Sequence, residues 1–105
     1  MNYDLKIIQG NTKTYRIINE SRDFAPGDKI IFTVKKNYSV KDELLQKEII
    51  SFEGNVAVIN LSSNDTANIS TGDYVYDIQY NSYDGIVKTI YKGNLIIDWR
   101  VTDDE

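Results

Sequence analysis

Strict alternation within short runs of residues constrains this chain more than any other feature of its sequence. The run TGDYVYDIQY, residues 71 to 80, places Tyr74, Tyr76, Ile78 and Tyr80 at every second position. Side chains two residues apart share one face of a β-strand, whereas an α-helix repeats about every 3.6 residues. The run therefore predicts a half-buried strand that enters a β-sandwich or a small barrel.

Further runs of this kind follow one another along the chain, separated by turn residues such as glycine, asparagine and aspartate. We predict a single all-β domain over residues 1–105, with about seven or eight strands and a frayed tail at 101–105. The segment 40–50 does not decide between helix and strand in its first part, and a strand is expected from about Leu45 to Ser51. The other strands are expected at Leu5–Ile8, Thr12–Ile18, Lys29–Lys36, Asn55–Ser62, Tyr74–Tyr80, 86–92 and 95–101.

The same alternation predicts which side chains form the core. Trp99 alternates with aliphatic residues, so it is expected in the core rather than on a contact surface. Each of the six glycines is interpreted as a turn glycine, and Gly93 with Asn94 is expected to form a tight turn between two strands. Pro26 and Gly27 are a strong turn signal, and Ser63 or Asp65 is expected to cap one helical turn. Inward positions are predicted at Ala57, Ile59 and Leu61. One strand face is expected to carry Ile30, Phe32 and Val34, and another Leu95, Ile97, Trp99 and Val101.

The charge of the chain excludes several partner classes. Twelve basic residues against sixteen acidic ones give a net charge of −4, and there is no long basic run. Nucleic acid and membrane surfaces are therefore not expected as partners. The first residues lack the basic and apolar regions of a secretory signal, and no window is apolar enough for a membrane helix. We expect a protein made in the bacterial cytoplasm.

The sequence lacks several of the residue types that most often act in catalysis. The chain has no histidine and no cysteine, which excludes zinc sites of the usual type, thiol nucleophiles and disulfides. Asp65, Asp73, Asp84 and the acidic tail 103–105 offer oxygen ligands for calcium. No calcium-binding loop gathers them, so we interpret them as solvated turn carboxylates. A hydrolase that uses two carboxylates stays open as an alternative. We predict no catalytic, cofactor-binding or metal-binding residues and no enzyme activity.

Eight tyrosines are many for 105 residues. Tyrosines at alternate strand positions are explained by cross-strand packing. Tyr38 and Tyr83 fall in predicted loops, and we predict them as an interaction surface, because tyrosine combines a large contact area with a polar tip. A carbohydrate-binding or adhesin module is the alternative function that these two residues suggest.

The stretch TGDYVYDI resembles the entry to strand F of immunoglobulin-like domains. By this resemblance Tyr74 would be the corner tyrosine, whose hydroxyl binds back to the chain before the strand. Tyr76 would take the place of the second cysteine of such domains. The fold implied is an immunoglobulin-like antiparallel β-sandwich.

A longer segment, Asn55 to Thr102, looks like small β-sandwich proteins encoded in prophage structural-gene clusters of Gram-positive bacteria. The runs QGNTKTYRI (9–17) and PGDKIIFTVKK (26–36) are similar to the opening strands of those proteins and of phage upper-baseplate N-terminal domains. The resemblance implies a non-enzymatic component of a phage tail or baseplate that docks to other phage structural proteins and resides in the virion once assembled. Self-association through edge strands is also considered, with the first and last strands as candidates, and no small-molecule ligand is expected.

Overall fold

The computed structural model describes residues 3–100, and within them β-strands dominate. Seven strands in this range form a five-stranded sheet and a two-stranded sheet that face each other. The predicted all-β, sandwich-like fold is confirmed. The elements in chain order are β1 (Leu5–Ile8), β2 (Lys13–Ile18), β3 (Lys29–Lys35), β4 (Leu45–Ile49), β5 (Val56–Leu61), α1 (Ser63–Ala67), β6 (Gly72–Asn81) and β7 (Val87–Asp98).

The larger sheet has the order β1-β7-β6-β3-β4, and the smaller sheet pairs β2 with β5. The order β7-β6-β3 opposite β2-β5 corresponds to strands G, F and C opposite B and E in an immunoglobulin-type sandwich. The expected antiparallel pairing is wrong for one pair, because β1 lies parallel to β7. These two strands come from opposite ends of the chain, so no hairpin sets their direction and no local sequence signal reveals it.

The core lies between the two sheets and consists of the side chains that alternation places inward. Phe32 at the centre of β3 is fully buried, and its ring centroid lies 6.3 Å from that of Tyr15 on the opposite sheet. Such ring pairs contribute more than their buried area alone. The residues predicted inward on β5, Ala57, Ile59 and Leu61, are all buried. The shared faces on β3 and β7 also contribute buried side chains: Ile30, Phe32, Val34, Leu95 and Ile97.

The predicted tight turn at Gly93 and Asn94 is wrong, because β7 continues through both residues as one long strand. Gly93 pairs with Tyr76 of β6. A Cβ atom on Gly93 would lie only 2.0 Å from the backbone oxygen of Tyr3. Glycine is therefore needed here because another backbone segment approaches closely. The sequence alone does not distinguish such a glycine from one in a turn.

The prediction that Trp99 packs in the core is also wrong. Its side chain is 73% exposed, and it lies just beyond the end of β7 at Asp98. The Asp98 side chain accepts a hydrogen bond from the Trp99 N–H at 2.8 Å, which replaces ladder pairing by a local bond. Alternation directs side chains inward only while a strand continues between the sheets. Val101, expected on the same face, lies outside the described residues.

The connection from β5 to β6 contains the short helix α1. The structure has the predicted helical turn, but its N-cap is Ser62 rather than Ser63. Ser62 and Asp65 bind each other's backbone N–H groups in a capping box. The undecided segment 40–50 contains no helix, and its second part forms β4.

Tyr74 stands near the start of β6 and closes the corner that precedes this strand. Its hydroxyl donates to the Ser70 carbonyl at 2.6 Å. This is the geometry of a tyrosine corner, as the resemblance to strand F implies. Two residues on, the hydroxyl of Tyr76 donates to the backbone oxygen of Tyr3 at 2.6 Å. In both tyrosines the hydroxyl therefore donates a hydrogen bond to a backbone oxygen, and the ring is buried in the core.

Replacing Tyr74 with Phe is expected to lower the free energy of unfolding by about 1 kcal/mol, because the Ser70 carbonyl loses its partner while the ring stays buried. Tyr15 is the matched control: its hydroxyl is buried without a partner in residues 3–100, and burial raises the pKa of Tyr15 to about 12. Tyr15→Phe is expected to leave the stability unchanged or to raise it. Urea denaturation of both variants tests the pair. Equal stability of Tyr74→Phe and the wild type would show that the corner bond contributes nothing.

Candidate functional site

A groove of about 520 Å³ opens between the two sheets, on the side of β2 and β7. Because β5 contacts β4, its partner β2 lies toward β7. The walls are the end of β2 with the loop that follows it, the hairpin between β6 and β7, and the first half of β7. We call this the β2–β7 groove, and the lining residues that matter below are Ile17, Ile18, Tyr83, Ile86 and Ile90.

β7 is an interior strand over its second half and an edge strand over its first half. β1 pairs with it only over Leu95–Asp98, and the Tyr3 N–H donates to the Lys92 carbonyl at 2.9 Å. Residues 87–91 have β6 on one side and no strand of the described residues on the other. The expectation that the first and last strands provide edges thus holds for β1 and for the first half of β7.

The second open edge beside the groove belongs to β2, which pairs only with β5 among the described strands. The Asn19 N–H donates to the Asn55 carbonyl across this ladder at 2.9 Å. Since bonded and non-bonded pairs alternate in an antiparallel ladder, the backbone groups of Thr14, Arg16 and Ile18 face away from β5. Free backbone groups of this kind are a template for a further strand.

Apolar side chains line the space between these two edges. Ile17 is buried at the floor of the groove, whereas Ile18 and Ile86 are at least half exposed on its rim. Val87, next to the rim, is exposed as well. Single exposed aliphatic residues are ordinary, but several around one groove mark a surface suited to a partner.

Asp28 fixes the end of the groove that lies near the hairpin. Its carboxylate is buried: Oδ2 accepts from the Ala25 N–H at 2.9 Å and from the Tyr80 hydroxyl at 3.2 Å. Oδ1 accepts from the Tyr83 N–H at 2.8 Å, and the Arg22 Nη1 lies 3.1 Å from Oδ2. Asp28 therefore joins the turn before β3 to the hairpin between β6 and β7 and holds the groove wall in place.

The turn that delivers Asp28 is the one predicted from the Pro26–Gly27 pair. The Asp28 N–H donates to the Ala25 carbonyl at 3.0 Å, and Gly27 has a φ of 94°. Proline followed by a glycine with positive φ is the pattern of a type II turn. A turn of this kind places the Asp28 side chain directly under the hairpin.

The environment of Asp28 favours its ionised form. Burial alone would raise its pKa, but hydrogen bonds from the N–H groups of Ala25 and Tyr83 and from Arg22 outweigh that effect. The pKa of Asp28 consequently lies below its ordinary value. The hydrogen bond to Asp28 in turn raises the pKa of Arg22.

Acid is expected to weaken the fold through this group. Because the pKa of Asp28 is lower in the folded state, its contribution to stability is complete above an unfolded-state pKa of about 4 and is lost as the pH falls through the folded-state value. The free energy of unfolding should therefore fall less between pH 7 and pH 3 in Asp28→Asn than in the wild type. Urea denaturation at both pH values measures the free energy of unfolding of each protein. The contributions of the other carboxylates are the same in both proteins and cancel in the comparison. Equal losses in the two proteins would contradict the assignment.

The two tyrosines predicted as an interaction surface lie at opposite ends of β3. Tyr83 is 63% exposed, lines the groove, and has the Arg22 guanidinium 5.8 Å from its ring centroid. Tyr38 follows the far end of β3, is 60% exposed, and donates its hydroxyl to the Gly93 carbonyl at 3.3 Å. The structure therefore brings only Tyr83 to the groove, and the two residues do not share one surface.

Two of the carboxylates considered for calcium, Asp65 and Asp84, are engaged in local structure. Asp73 is exposed on β6, and the acidic tail 103–105 lies outside the described residues. Asp65 belongs to the capping box of α1 and lies 2.9 Å from the Lys47 ammonium. Asp84 accepts a hydrogen bond from the Ser82 hydroxyl. Within residues 3–100, no three acidic, histidine or cysteine side chains are grouped so that they could hold a metal ion. In the same range, no helix is both long and apolar enough to cross a membrane.

Comparison with known proteins does not assign the chain. No protein-family model matches it. A search of curated proteins gave no match either. The groove, the two open strand edges and the resemblance of residues 55–102 are therefore the basis for a functional proposal.

Proposed function

We propose that the chain is a non-enzymatic structural or assembly component of a phage or prophage tail or baseplate and that it acts by protein–protein docking. The docking part of the proposal rests on the β2–β7 groove, where two unpaired strand edges flank exposed apolar side chains. Open edges beside apolar surface suit the addition of a strand from a partner. The tail or baseplate part rests on the resemblance of residues 55–102 to prophage structural proteins.

The alternatives have less support from the described residues. A carboxylate hydrolase needs two carboxylates that face a substrate, but at the groove Asp84 is bound by Ser82 and Glu20 lies in the loop after β2. A carbohydrate-binding module would use exposed aromatic rings together, but Tyr38 and Tyr83 are separated by the length of β3. Docking accounts for the two open strand edges and the exposed apolar side chains of the groove, which neither a hydrolase nor a carbohydrate-binding module requires.

The proposal is tested by quantitative proteomics of gradient-purified particles after prophage induction in the source bacterium. We expect the chain to co-sediment with the particles at a fixed ratio to the tail proteins. An abundant cytoplasmic enzyme, measured in the same fractions, controls for carry-over. If the chain is expressed in the cell but is absent from the particles, it is not a virion part. Saturable glycan binding that Tyr83→Ala abolishes would favour the carbohydrate-binding alternative.

A further inference from the structure

We infer that the β2–β7 groove takes up an extended strand from a partner chain, which pairs with the open edge of β2 and places its apolar side chains in the groove. The partner strand alternates apolar with acidic residues. This inference rests on the proposed function and deepens it, because it names the kind of partner segment that the docking component binds.

The position of the groove matches a strand missing from the smaller sheet. In an immunoglobulin-type sandwich, strand A pairs with strand B in the sheet that also contains strand E. β2 and β5 occupy the places of B and E, and residues 3–100 supply no strand at the place of A. β2 spans six residues, which at about 3.3 Å per residue gives an edge of roughly 20 Å. An incoming segment of about six residues would pair along this length.

The exposed isoleucines of the groove favour an extended segment over the edge of a second folded copy. The free edge of a folded sheet offers backbone groups, but its inward side chains are already buried in its own core. In this chain β5 is such an edge, and Ala57, Ile59 and Leu61 are all buried. The isoleucines on the groove rim need apolar side chains that are not yet buried elsewhere. Only a strand that is not part of a folded sheet before it binds supplies both unpaired backbone groups and unburied apolar side chains.

The charges of the smaller sheet indicate the polar half of the partner strand. β2 contributes Lys13 and Arg16, and neither β2 nor β5 contains an acidic residue. Arg16 is exposed, stands opposite Val58 and makes no ion pair within residues 3–100. Opposite charges on neighbouring strands stabilise a sheet, so an acidic residue is expected beside Arg16. Glu20 and Asp84 also line the groove, but neither forms an ion pair with Arg16 within residues 3–100.

The inference is tested with peptides and the isotope-labelled full chain in solution. The probe is a capped peptide of about eight alternating valine and glutamate residues. One control peptide alternates valine with lysine, and another has the composition of the probe in two blocks. We expect the probe to shift the amide signals of Thr14, Arg16 and Ile18 and to protect these amides from hydrogen exchange. The valine–lysine peptide should bind about fivefold more weakly, and the block peptide should give no protection.

Three variants at one position separate backbone pairing from charge. Arg16→Glu should reverse the preference between the two alternating peptides, whereas Lys41→Glu, an equal charge change on the exposed loop before β4, should not. Arg16→Ala removes the charge alone, whereas Arg16→Pro also removes an N–H that β5 does not use. The fold of both should persist, while Arg16→Pro should bind the probe roughly tenfold more weakly than Arg16→Ala. Circular dichroism checks that each variant is folded.

Several outcomes would overturn the inference. These are the absence of shifts along β2, shifts confined to the edge of β4, or equal binding of all three peptides. Concentration-dependent shifts along β2 without any peptide would show that a second copy occupies the edge instead. Because the titration uses the purified chain alone, its result does not depend on whether the chain is found in particles. A chain absent from particles that still binds the probe would refute the proposed function and not the groove.

Discussion

Asp28→Ala is expected to lower the free energy of unfolding by about 4 kcal/mol. The substitution leaves the partly buried N–H groups of Ala25 and Tyr83 without their acceptor, at a cost of about 1 to 3 kcal/mol each. It also removes the acidic partner of Arg22, whose side chain is partly exposed, so that this loss adds less. The turn before β3 and the hairpin after β6 then separate, and the wall of the groove loses its support. Urea denaturation at neutral pH measures the change.

Asp42→Ala is the matched control, because it also removes one carboxylate and Asp42 is exposed in the loop before β4. Its stability should stay within about 0.5 kcal/mol of the wild type. Asp28→Asn should fall between the two, because the amide keeps one oxygen acceptor. If Asp28→Ala were as stable as Asp42→Ala, the buried carboxylate would not hold the turn to the hairpin.

Gly93→Ala is expected to lower the free energy of unfolding by about 3 kcal/mol, although alanine is usually tolerated in a strand better than glycine. The new methyl group would meet the backbone oxygen of Tyr3 at 2.0 Å, and this neighbour cannot rotate away as a side chain could. The start of the chain must shift, which strains the bonds from the Tyr3 N–H to Lys92 and from the Tyr76 hydroxyl to Tyr3. Thermal and urea denaturation both report the loss.

Gly85→Ala provides the comparison. Gly85 has a φ of 94°, and an added Cβ would meet no atom within 4 Å. Its cost is limited to the left-handed backbone conformation, about 1 to 2 kcal/mol. If Gly93→Ala were as stable as Gly85→Ala, the backbone of Tyr3 would not lie close enough to Gly93 to exclude a methyl group.

The strands and the core were predictable because both follow from local alternation. The buried row Ile30, Phe32 and Val34 is evident from the sequence of β3 alone. Gly93 and Trp99 were mistaken because their roles depend on where a distant segment passes and where a strand leaves the sandwich. The parallel pairing of β1 with β7 joins opposite ends of the chain, and no local pattern encodes it.

The groove was less predictable than the fold. Tyr83 was identified by its place in a predicted loop, and it does line the groove. The open edge of β2 was not foreseen, because an edge is defined by the absence of a neighbour and only the topology reveals that. Asp28 follows a proline–glycine pair, which predicts the turn, but its partners Tyr80 and Tyr83 are more than 50 residues away in the sequence.

Docking through the β2–β7 groove is tested most directly by photo-cross-linking in induced cells of the source bacterium. A benzophenone amino acid is placed at Ile18 on the groove rim or at Lys41 on the distant loop, and the cross-linked products are identified by mass spectrometry. We expect a covalent adduct with one tail or baseplate protein from position 18 and none from position 41. No adduct at position 18, or the same adducts from both positions, would contradict docking through this groove.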